Sequence, residues 1–239
     1  MIKLNLMICP HDTAKNPEKW FRFVQYLNLN LDFTIHLAIS LDFKEFHDRL
    51  STADLVYANP ADGVSLAQKH QFIPIVRSTN LYDEVVFIAS PNLNNPSLLS
   101  YQGAKVATVN SMVTKLATSI LHRQNIMPSE LINKDSWLGV IHAVAKNEAS
   151  LGFVYKDTYD ELSPQTKAMV TAIASSTEHQ AFHALYLNPK TGDRAQAISS
   201  ILQQMHLDPK GQEVLKELKI EAWEAISTDT LQSLFAIAA

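Results

Sequence analysis

Short runs rich in β-branched and aromatic residues alternate with amphipathic stretches along almost the whole chain. The first kind of run predicts strands, and the spacing of apolar residues in the second kind predicts helices. The predicted strands are Lys3–Ile8, Thr34–Ala38, Ala53–Tyr57, Phe72–Val76, Val85–Ala89, Lys105–Val109, Ser150–Tyr155, Met169–Ala174 and Ala184–Leu187. The predicted helices are Pro17–Asn28, Phe43–Ser51, Pro60–Lys69, Met112–Gln124, Gly139–Lys146, Arg194–His206, Pro209–Leu218 and Thr228–Ala236. This alternation predicts an α/β fold in which crossover helices join parallel strands.

The order of these elements predicts two lobes rather than two consecutive domains. Residues from about Ala89 to Glu178 have the pattern of a complete α/β unit inserted into another, and the segment after about Asn188 is predicted to be helical only. We therefore predict a discontinuous lobe I from residues 1–83 plus 184–239 and a lobe II from residues 84–183. The crossings lie near residues 78–84 and 179–187. Two lobes joined by two crossings are typical of a hinged clamp that holds its ligand at the carboxyl ends of strands.

Composition narrows the class of partner. The chain has 239 residues, of which 46% are hydrophobic and 18% charged, so it contains enough apolar side chains for a substantial core. A formal net charge of −4 lacks the basic footprint of a nucleic-acid-binding protein. It still allows an anionic ligand, because backbone amides at a helix start bind anions without a lysine.

Neither a membrane span nor a signal peptide is indicated by the sequence. No apolar run approaches the roughly 20 residues that a span requires, so membrane insertion of this chain is not expected. The first residues predict a strand instead of the apolar segment of a signal peptide. We expect a cytoplasmic location if the chain is full length. The alternative is that a signal or anchor has been removed.

One strand-to-helix turn carries the clearest anion signature. The strand predicted to end at Val109 leads directly into a helix that opens with Asn110 and Ser111, with Thr114 three residues later. Unpaired amides and the positive end of the helix dipole make such a turn an anion site, and the two hydroxyls would add donors. Met112 and Val113 would contribute their amides. The alternative is that Asn110 or Ser111 only caps the helix.

A second strand-to-helix turn lies near residue 60. Asn59 is a natural N-cap, Pro60 suits the first helical position, and Asp62 falls in the first turn. Capping is therefore the expected role of Asn59 and Asp62, with ligand contact by Asn59 as the alternative. Tyr57 ends the preceding strand and would point into the crevice.

The remaining candidates are aromatic residues and histidines. Trp137 and Tyr155 lie near predicted strand ends of the central unit, where they form either core or ligand wall. His11, at the same crevice edge as Tyr57, and His179 are weaker ligand candidates. The single cysteine, Cys9, excludes an intramolecular disulfide and a cysteine metal cluster. We expect it to be buried and inert, and the histidine spacing predicts neither a metal nor a cofactor.

Several segments together resemble the phosphate/phosphite/phosphonate-binding proteins of ABC transporters. The similar segments, given in chain order, are Ala53–Ala61, Pro74–Arg77 with Tyr82 and Val85–Ile88, Gly103–Ala107 with Ser111 to Thr114, and Ser136–Val144 with Gly152. The resemblance covers roughly residues 50 to 185. It implies a two-lobed, periplasmic-binding-protein-like (type II) fold with a ligand crevice between the lobes. It also implies a periplasmic location, and a small anionic ligand bound by Ser111, Thr114, Tyr57, Tyr82, Trp137 and Tyr155.

The sequence departs from the pattern of that family at three places. Trp137 stands where the family has a ligand histidine, Ser150 stands where an acidic residue is usual, and the Ser-Thr-Ser cluster is reduced to Ser111 and Thr114. These replacements remove donors to phosphoryl oxygens and the carboxylates that hold an amino group. The ligand is then an oxyanion, a small carboxylate, or a flatter, more apolar anion stacked by Trp137 and Tyr82.

Three functions remain open from the sequence, and the first is favoured. The first is a solute-binding or ligand-sensing clamp whose partner is an ABC permease or a signalling domain. The second is an enzyme of cofactor biosynthesis on the same fold, with His11, Cys9 or Asp157 as its chemical groups. The third is a protein-interaction module without a ligand. The sequence has no Gly-x-Ser-x-Gly elbow and only six glycines, so we do not expect an enzyme.

Overall fold

The structure, a computed structural model, describes residues 3–13, 16–40, 42–91 and 97–238. The chain divides into two compact units, and each unit is built from two separate segments of the chain. Unit 1 consists of Met1–Leu81 and Phe182–Phe235, and unit 2 consists of Tyr82–Ala181 and Ala236–Ala239. Among the described residues, no helix combines the length and the apolarity needed to cross a membrane.

The elements follow one another in an α/β order. The strands are β1 (Lys3–Ile8), β2 (Thr34–Ala38), β3 (Leu55–Ala58), β4 (Ile73–Tyr82), β5 (Val85–Ala89), β6 (Lys105–Thr108), β7 (Glu130–Asn133), β8 (Leu151–Tyr155), β9 (Thr171–Ser175), β10 (Phe182–Leu187) and β11 (Trp223–Ala225). The helices are α1 (Pro10–Thr13), α2 (Glu18–Asn30), α3 (Phe43–Arg49), α4 (Pro60–Lys69), α5 (Met112–Arg123), α6 (Trp137–Ala145), α7 (Lys156–Asp160), α8 (Pro164–Lys167), α9 (Ala195–Gln204), α10 (Pro209–Leu218) and α11 (Thr228–Ala238).

Unit 1 contains a six-stranded sheet in the order β11-β4-β10-β3-β1-β2. Strand β1 pairs in parallel with β2 and β3, while β10 pairs antiparallel with β3. The inner strand β3 is buried at all four positions, as expected for a strand covered on both faces. Trp20 and Phe23 of α2 pack edge to face at a centroid distance of 5.6 Å and belong to the core of this unit.

Unit 2 contains a five-stranded sheet in the order β7-β6-β8-β5-β9. Strand β6 pairs in parallel with β7 and β8, and β5 pairs antiparallel with β8 and β9. Helix α6 buries Val140, Ile141 and Val144 in the core of the unit. It approaches closely because β8 has Gly152, where a Cβ atom would lie 2.8 Å from Ile88 and 2.9 Å from Val144.

The structure corrects three expectations about the elements. Both sheets are mixed instead of parallel, because β10 and β5 run against their neighbours. Strand β7 was not predicted, since Glu130–Asn133 is a short edge strand with mostly exposed side chains. The segment after Asn188 is not purely helical, because β11 adds an edge strand that pairs antiparallel with β4.

A close contact in unit 1 joins α4 to β10. Tyr186 is fully buried, and its hydroxyl has no hydrogen-bond partner among the described residues. A Cβ atom at Gly63 of α4 would lie only 2.3 Å from the oxygen of that hydroxyl. Burial raises the pKa of the Tyr186 phenol, so the group stays neutral. The Tyr186 oxygen therefore sets the distance between α4 and β10, and only glycine fits at position 63 without a clash with it.

This contact predicts opposite effects for two substitutions on the free energy of unfolding, measured by urea denaturation. Tyr186→Phe should leave it unchanged or raise it by up to about 1 kcal/mol, because a buried hydroxyl without a partner is removed. Gly63→Ala should lower it by about 1–3 kcal/mol through overpacking, although alanine is the better helix former.

The matched control is Gly139→Ala in α6, where the nearest contacts of a new Cβ atom are an ordinary 3.4 Å. This substitution should not destabilise the protein. A Gly63→Ala protein as stable as the Gly139→Ala protein would contradict the close contact.

Candidate ligand site

One edge of the sheet in unit 2 gathers most of the predicted ligand residues. Strands β6, β7 and β8 are parallel, so their carboxyl ends meet at this edge. The antiparallel strand β5 begins there, since Val85 is opposite Tyr155, and β9 ends there, since Ser175 is opposite Val86. We call this edge the unit 2 edge. The candidate residues next to these strand ends in the sequence are Tyr82, Ser111, Trp137, Tyr155 and His179.

The turn from β6 into α5 is held by a buried pair of threonines. The Thr114 hydroxyl donates to the Val109 carbonyl at 2.5 Å, and it lies 2.5 Å from the Thr108 hydroxyl. Because a carbonyl only accepts, the Thr114 proton points to Val109 and the Thr108 hydroxyl is the donor to Thr114. This arrangement leaves Thr114 no proton for an anion. The expectation that Thr114 donates to the ligand is therefore corrected: Thr114 orders the turn.

Ser111 occupies the N-cap position of α5 in an extended conformation, with φ −157° and ψ 173°. Its side chain makes no capping hydrogen bond, and its buried hydroxyl oxygen has no partner among the described residues. Buried polar groups in proteins are nearly always hydrogen-bonded, so this hydroxyl needs an explanation.

Several other serine, asparagine and aspartate N-caps among the described residues do cap their own helices. Ser136 accepts from the Gly139 amide of α6 at 3.1 Å, and Ser163 accepts from the Thr166 amide of α8 at 3.2 Å. Asn59 and Asp208 do the same for α4 and α10. The Ser111 side chain departs from this behaviour, so the alternative that it merely caps α5 is not supported.

The first amides of α5 also lack a side-chain cap. The first turn of a helix has amides without partners in the helix, and here the Ser111 side chain satisfies none of them. The side chains of Met112 and Val113 are 7% and 3% exposed, so they pack into unit 2. These two residues can contact a ligand only through their backbone amides.

Two large aromatic residues form a second part of the unit 2 edge. The rings of Trp137, which begins α6, and Tyr155, which ends β8, have centroids 6.4 Å apart at an angle of 42°. The Tyr155 hydroxyl donates to the Asp157 carboxylate at 3.1 Å. Burial, together with the negative charges of Asp83 and Asp157, raises the pKa of the Tyr155 phenol, which stays neutral.

The segment after β9 contributes His179. Its imidazole stacks on the Tyr82 ring, with centroids 4.5 Å apart and an interplanar angle of 22°. One face of Tyr82 is therefore already covered, which limits the expectation that this ring stacks on a ligand. The His179 amide donates to the buried Glu84 carboxylate at 2.8 Å.

In unit 1 the carboxyl end of β3 leads into a capped helix. The side-chain carbonyl of Asn59 accepts from the Asp62 backbone amide at 2.9 Å, and the side-chain amide group of Asn59 donates to the Asp62 carboxylate at 2.6 Å. Asp62 also pairs with His47 at 2.9 Å. Asn59 further donates to the sulfur of Cys9 at 3.4 Å, and Cys9 is fully buried. Asn59 therefore fulfils the expected capping role, and the expectation that it contacts the ligand is not supported.

Tyr57 also differs from expectation. It is 1% exposed, and its ring packs against Trp20 at 4.9 Å, His183 at 5.6 Å and Trp223 at 6.0 Å. These contacts place Tyr57 in the core of unit 1, so its ring does not line an open surface. His11 lies in the short helix α1, and its side chain is outside the described part of the structure.

Two residues of the unit 2 edge were missed by sequence reasoning. Glu84 and Ser176 form a buried pair beside the crossing segments, although an acidic residue directly before a fully apolar strand was a visible signal. Within the described ranges, no group of three or more histidine, cysteine or acidic side chains is suited to hold a metal ion.

Known structures share this fold over nearly the whole chain. PhnD1 from Prochlorococcus marinus, solved with methylphosphonate, is 12% identical and aligns with a TM-score of 0.72 over 99% of this chain and 97% of its own. XAC2383 from Xanthomonas citri, solved with ATP, is 15% identical with a TM-score of 0.75 over 99% and 95%. The sulphonate-binding protein SsuA from Escherichia coli is 10% identical with a TM-score of 0.68 over 100% and 79%. At these identities, the likeness shows the fold alone.

A comparison with curated proteins gives no match. The sequence model of one family, described as ABC transporter, phosphonate, periplasmic substrate-binding protein, matches residues 6–231. The match extends well beyond the segments that carried the resemblance. Its members bind solutes for transport and are not enzymes. The type II fold and the binding function expected from the sequence are thereby confirmed, and the chain belongs to the family of phosphonate-type periplasmic substrate-binding proteins of ABC transporters.

Proposed function

We propose that this protein binds a small phosphonate-type oxyanion at the unit 2 edge, where the Ser111 hydroxyl and the first amides of α5 donate to its oxygens. The observation that carries the proposal is the Ser111 hydroxyl, which is buried, does not cap its own helix and has no hydrogen-bond partner in the described part of the chain. Oxyanion oxygens are the acceptors that such a hydroxyl and such amides require.

Electrostatics supports the same ligand class. The unpaired amides and the aligned peptide dipoles place about half a positive elementary charge at the start of a helix. Helix α5 has no acidic residue in its first turn, so this partial charge is not neutralised within the helix. An anion can therefore be held here without a lysine or arginine, which agrees with the net charge of −4.

The surrounding aromatic residues favour a compact organic substituent on the anion. Trp137 and Tyr155 supply apolar ring surface, and the Tyr155 hydroxyl is already committed to Asp157. His179 stacks on Tyr82 through one face of its imidazole, so the two ring nitrogens at the edge are a further polar group for the ligand. We infer that an alkyl phosphonate or alkyl sulfonate suits this edge better than a larger zwitterion does.

Family membership also supports a location and a partner. We propose that the protein works in the periplasm and delivers its ligand to an ABC permease, as its family membership supports. The enzyme hypothesis is not favoured, because members of the family are not enzymes, and the structure shows the state of two of its three candidate groups. Cys9 is fully buried, and Asp157 accepts the Tyr155 hydrogen bond. The interaction module without a ligand becomes the outcome that the binding experiment must exclude.

The decisive substitution is Ser111→Ala, tested by calorimetric titration with methylphosphonate, ethanesulfonate and inorganic phosphate. Affinity for the tightest of the three anions should fall by about ten- to a hundredfold, because one hydrogen bond to a charged group contributes about 1.5–3 kcal/mol. The free energy of unfolding without ligand should change little, since the Ser111 hydroxyl caps nothing.

The matched control is Ser163→Ala, which removes a serine that does cap its helix. This protein should lose about 1 kcal/mol of stability and retain its affinity. If Ser111→Ala instead behaves like Ser163→Ala, the hydroxyl is a cap and the proposed site is wrong. A wild-type protein that binds none of the three anions would favour the interaction module.

A separate prediction concerns Thr114, which we assign to the structure of the turn. Thr114→Val should lower the free energy of unfolding by about 1–3 kcal/mol, because Val109 and Thr108 lose their buried partner. Thr114→Ser keeps the hydroxyl and should restore most of that loss. Thermal and urea unfolding of the two ligand-free variants measure the difference. Equal stability of the valine and serine variants would contradict the assignment.

A further inference from the structure

Unit 2 contains a buried carboxylate that the proposed ligand site does not use. Glu84 directly precedes β5 and is 6% exposed. A buried carboxylate is stable only where hydrogen bonds or charges compensate for lost hydration. The hydrogen-bond partners of Glu84 therefore indicate its role.

The partners of Glu84 come from the segment that follows β9. One carboxylate oxygen accepts from the Ser176 hydroxyl, and the other accepts from the His179 amide at 2.8 Å. The Ser176 oxygen in turn accepts from the Val85 amide at 2.9 Å. Glu84 thus ties the start of β5 to two points of residues 176–179.

The backbone of His179 shows what this tie achieves. His179 has φ 55°, in the left-handed region that non-glycine residues seldom adopt. Such a conformation persists where the surroundings fix it, and here the fixed group is the amide held by Glu84. In this conformation the imidazole lies flat on Tyr82, at 4.5 Å between centroids.

The position of the imidazole is fixed, but its ring nitrogens remain available to a ligand. His179 is exposed, and its ring nitrogens form neither a hydrogen bond nor an ion pair within the described part of the chain. A flat imidazole fixed on a tyrosine presents both nitrogens at its edge, where either can donate to an oxyanion.

We propose that Glu84 is a positioning residue, which holds His179 in the left-handed conformation and so keeps its imidazole stacked on Tyr82 and oriented toward the ligand. This orientation of the imidazole is a property of the ligand-free protein. The gain in ligand affinity that it provides rests on the proposed anion site. Without Glu84, the segment would have to be ordered at the moment of binding, which weakens affinity.

The first test is a spectroscopic signature of the ligand-free protein. In the wild type, the His179 imidazole protons should resonate upfield, because they lie over the Tyr82 ring, and the His179 amide should exchange slowly with solvent. Glu84→Ala should abolish both effects. Affinity for methylphosphonate should then fall by about tenfold, the cost of immobilising one or two side chains on binding.

Two further variants separate positioning from a general structural role. Glu84→Gln keeps an oxygen for the His179 amide and should retain the upfield shift and most of the affinity. Glu178→Ala removes the neighbouring carboxylate, which pairs with Arg123 at 2.6 Å, without touching the tie to the backbone. It should leave the His179 resonances unchanged.

Rapid exchange of the His179 amide in the wild type would overturn the proposal even if Glu84→Ala does not fold. An unshifted His179 imidazole in the wild type, or an upfield shift that survives Glu84→Ala, would overturn it as well. These readouts need no ligand, so their failure leaves the proposed function standing. A wild type that binds no methylphosphonate would instead defeat the proposed function while the tie by Glu84 remains testable.

Discussion

A helix that starts at the carboxyl end of a parallel strand brings amides without partners to the edge of a sheet. These amides must be satisfied by a cap, by solvent or by a ligand. Among the described helices, α3, α4, α6, α8 and α10 use a side-chain cap. In α5 the N-cap Ser111 does not cap the first amides, and its own hydroxyl has no hydrogen-bond partner among the described residues. The functional interpretation of the chain depends on this unmet requirement for acceptors, because an oxyanion satisfies it without any basic side chain.

The packing of unit 2 keeps that start of α5 in place. The Thr108 and Thr114 hydroxyls close the turn on the Val109 carbonyl, and the Lys134 amide donates to the Thr108 carbonyl at 2.8 Å. Strand β6 lies between two parallel neighbours, and Gly152 in one of them lets α6 pack closely on the sheet. The site is thus built on a strand and helices of the core, and Glu84 fastens residues 176–179, which follow β9.

The sequence predicted the elements whose patterns are local. Strands β1, β2 and β5 and helices α4 and α10 have the bounds that their apolar patterns and caps predict. Edge strands β7 and β11 were not predicted, because these segments form strands only by pairing with β6 and β4, which are distant in the chain. The mixed direction of both sheets is also a property of pairing, which no local pattern carries.

The site was predicted in part for the same reason. Ser111 could be found because a strand that runs directly into a helix is visible in the sequence. The roles of Thr114, Tyr57 and Asn59 could not be assigned, because their hydroxyl, ring and amide are occupied by groups that only the fold brings near. Glu84 was overlooked because its partners lie about 90 residues away, and a buried carboxylate has no sequence pattern of its own.

The central claim is that the start of α5 is the anion site, and a titration of the isotope-labelled protein with methylphosphonate, followed by amide nuclear magnetic resonance, tests it most directly. The account predicts that the amides of Met112 and Val113 show the largest shifts, downfield and saturable, because they acquire charged acceptors. Saturable shifts confined to other residues, with these two amides unchanged, would contradict it.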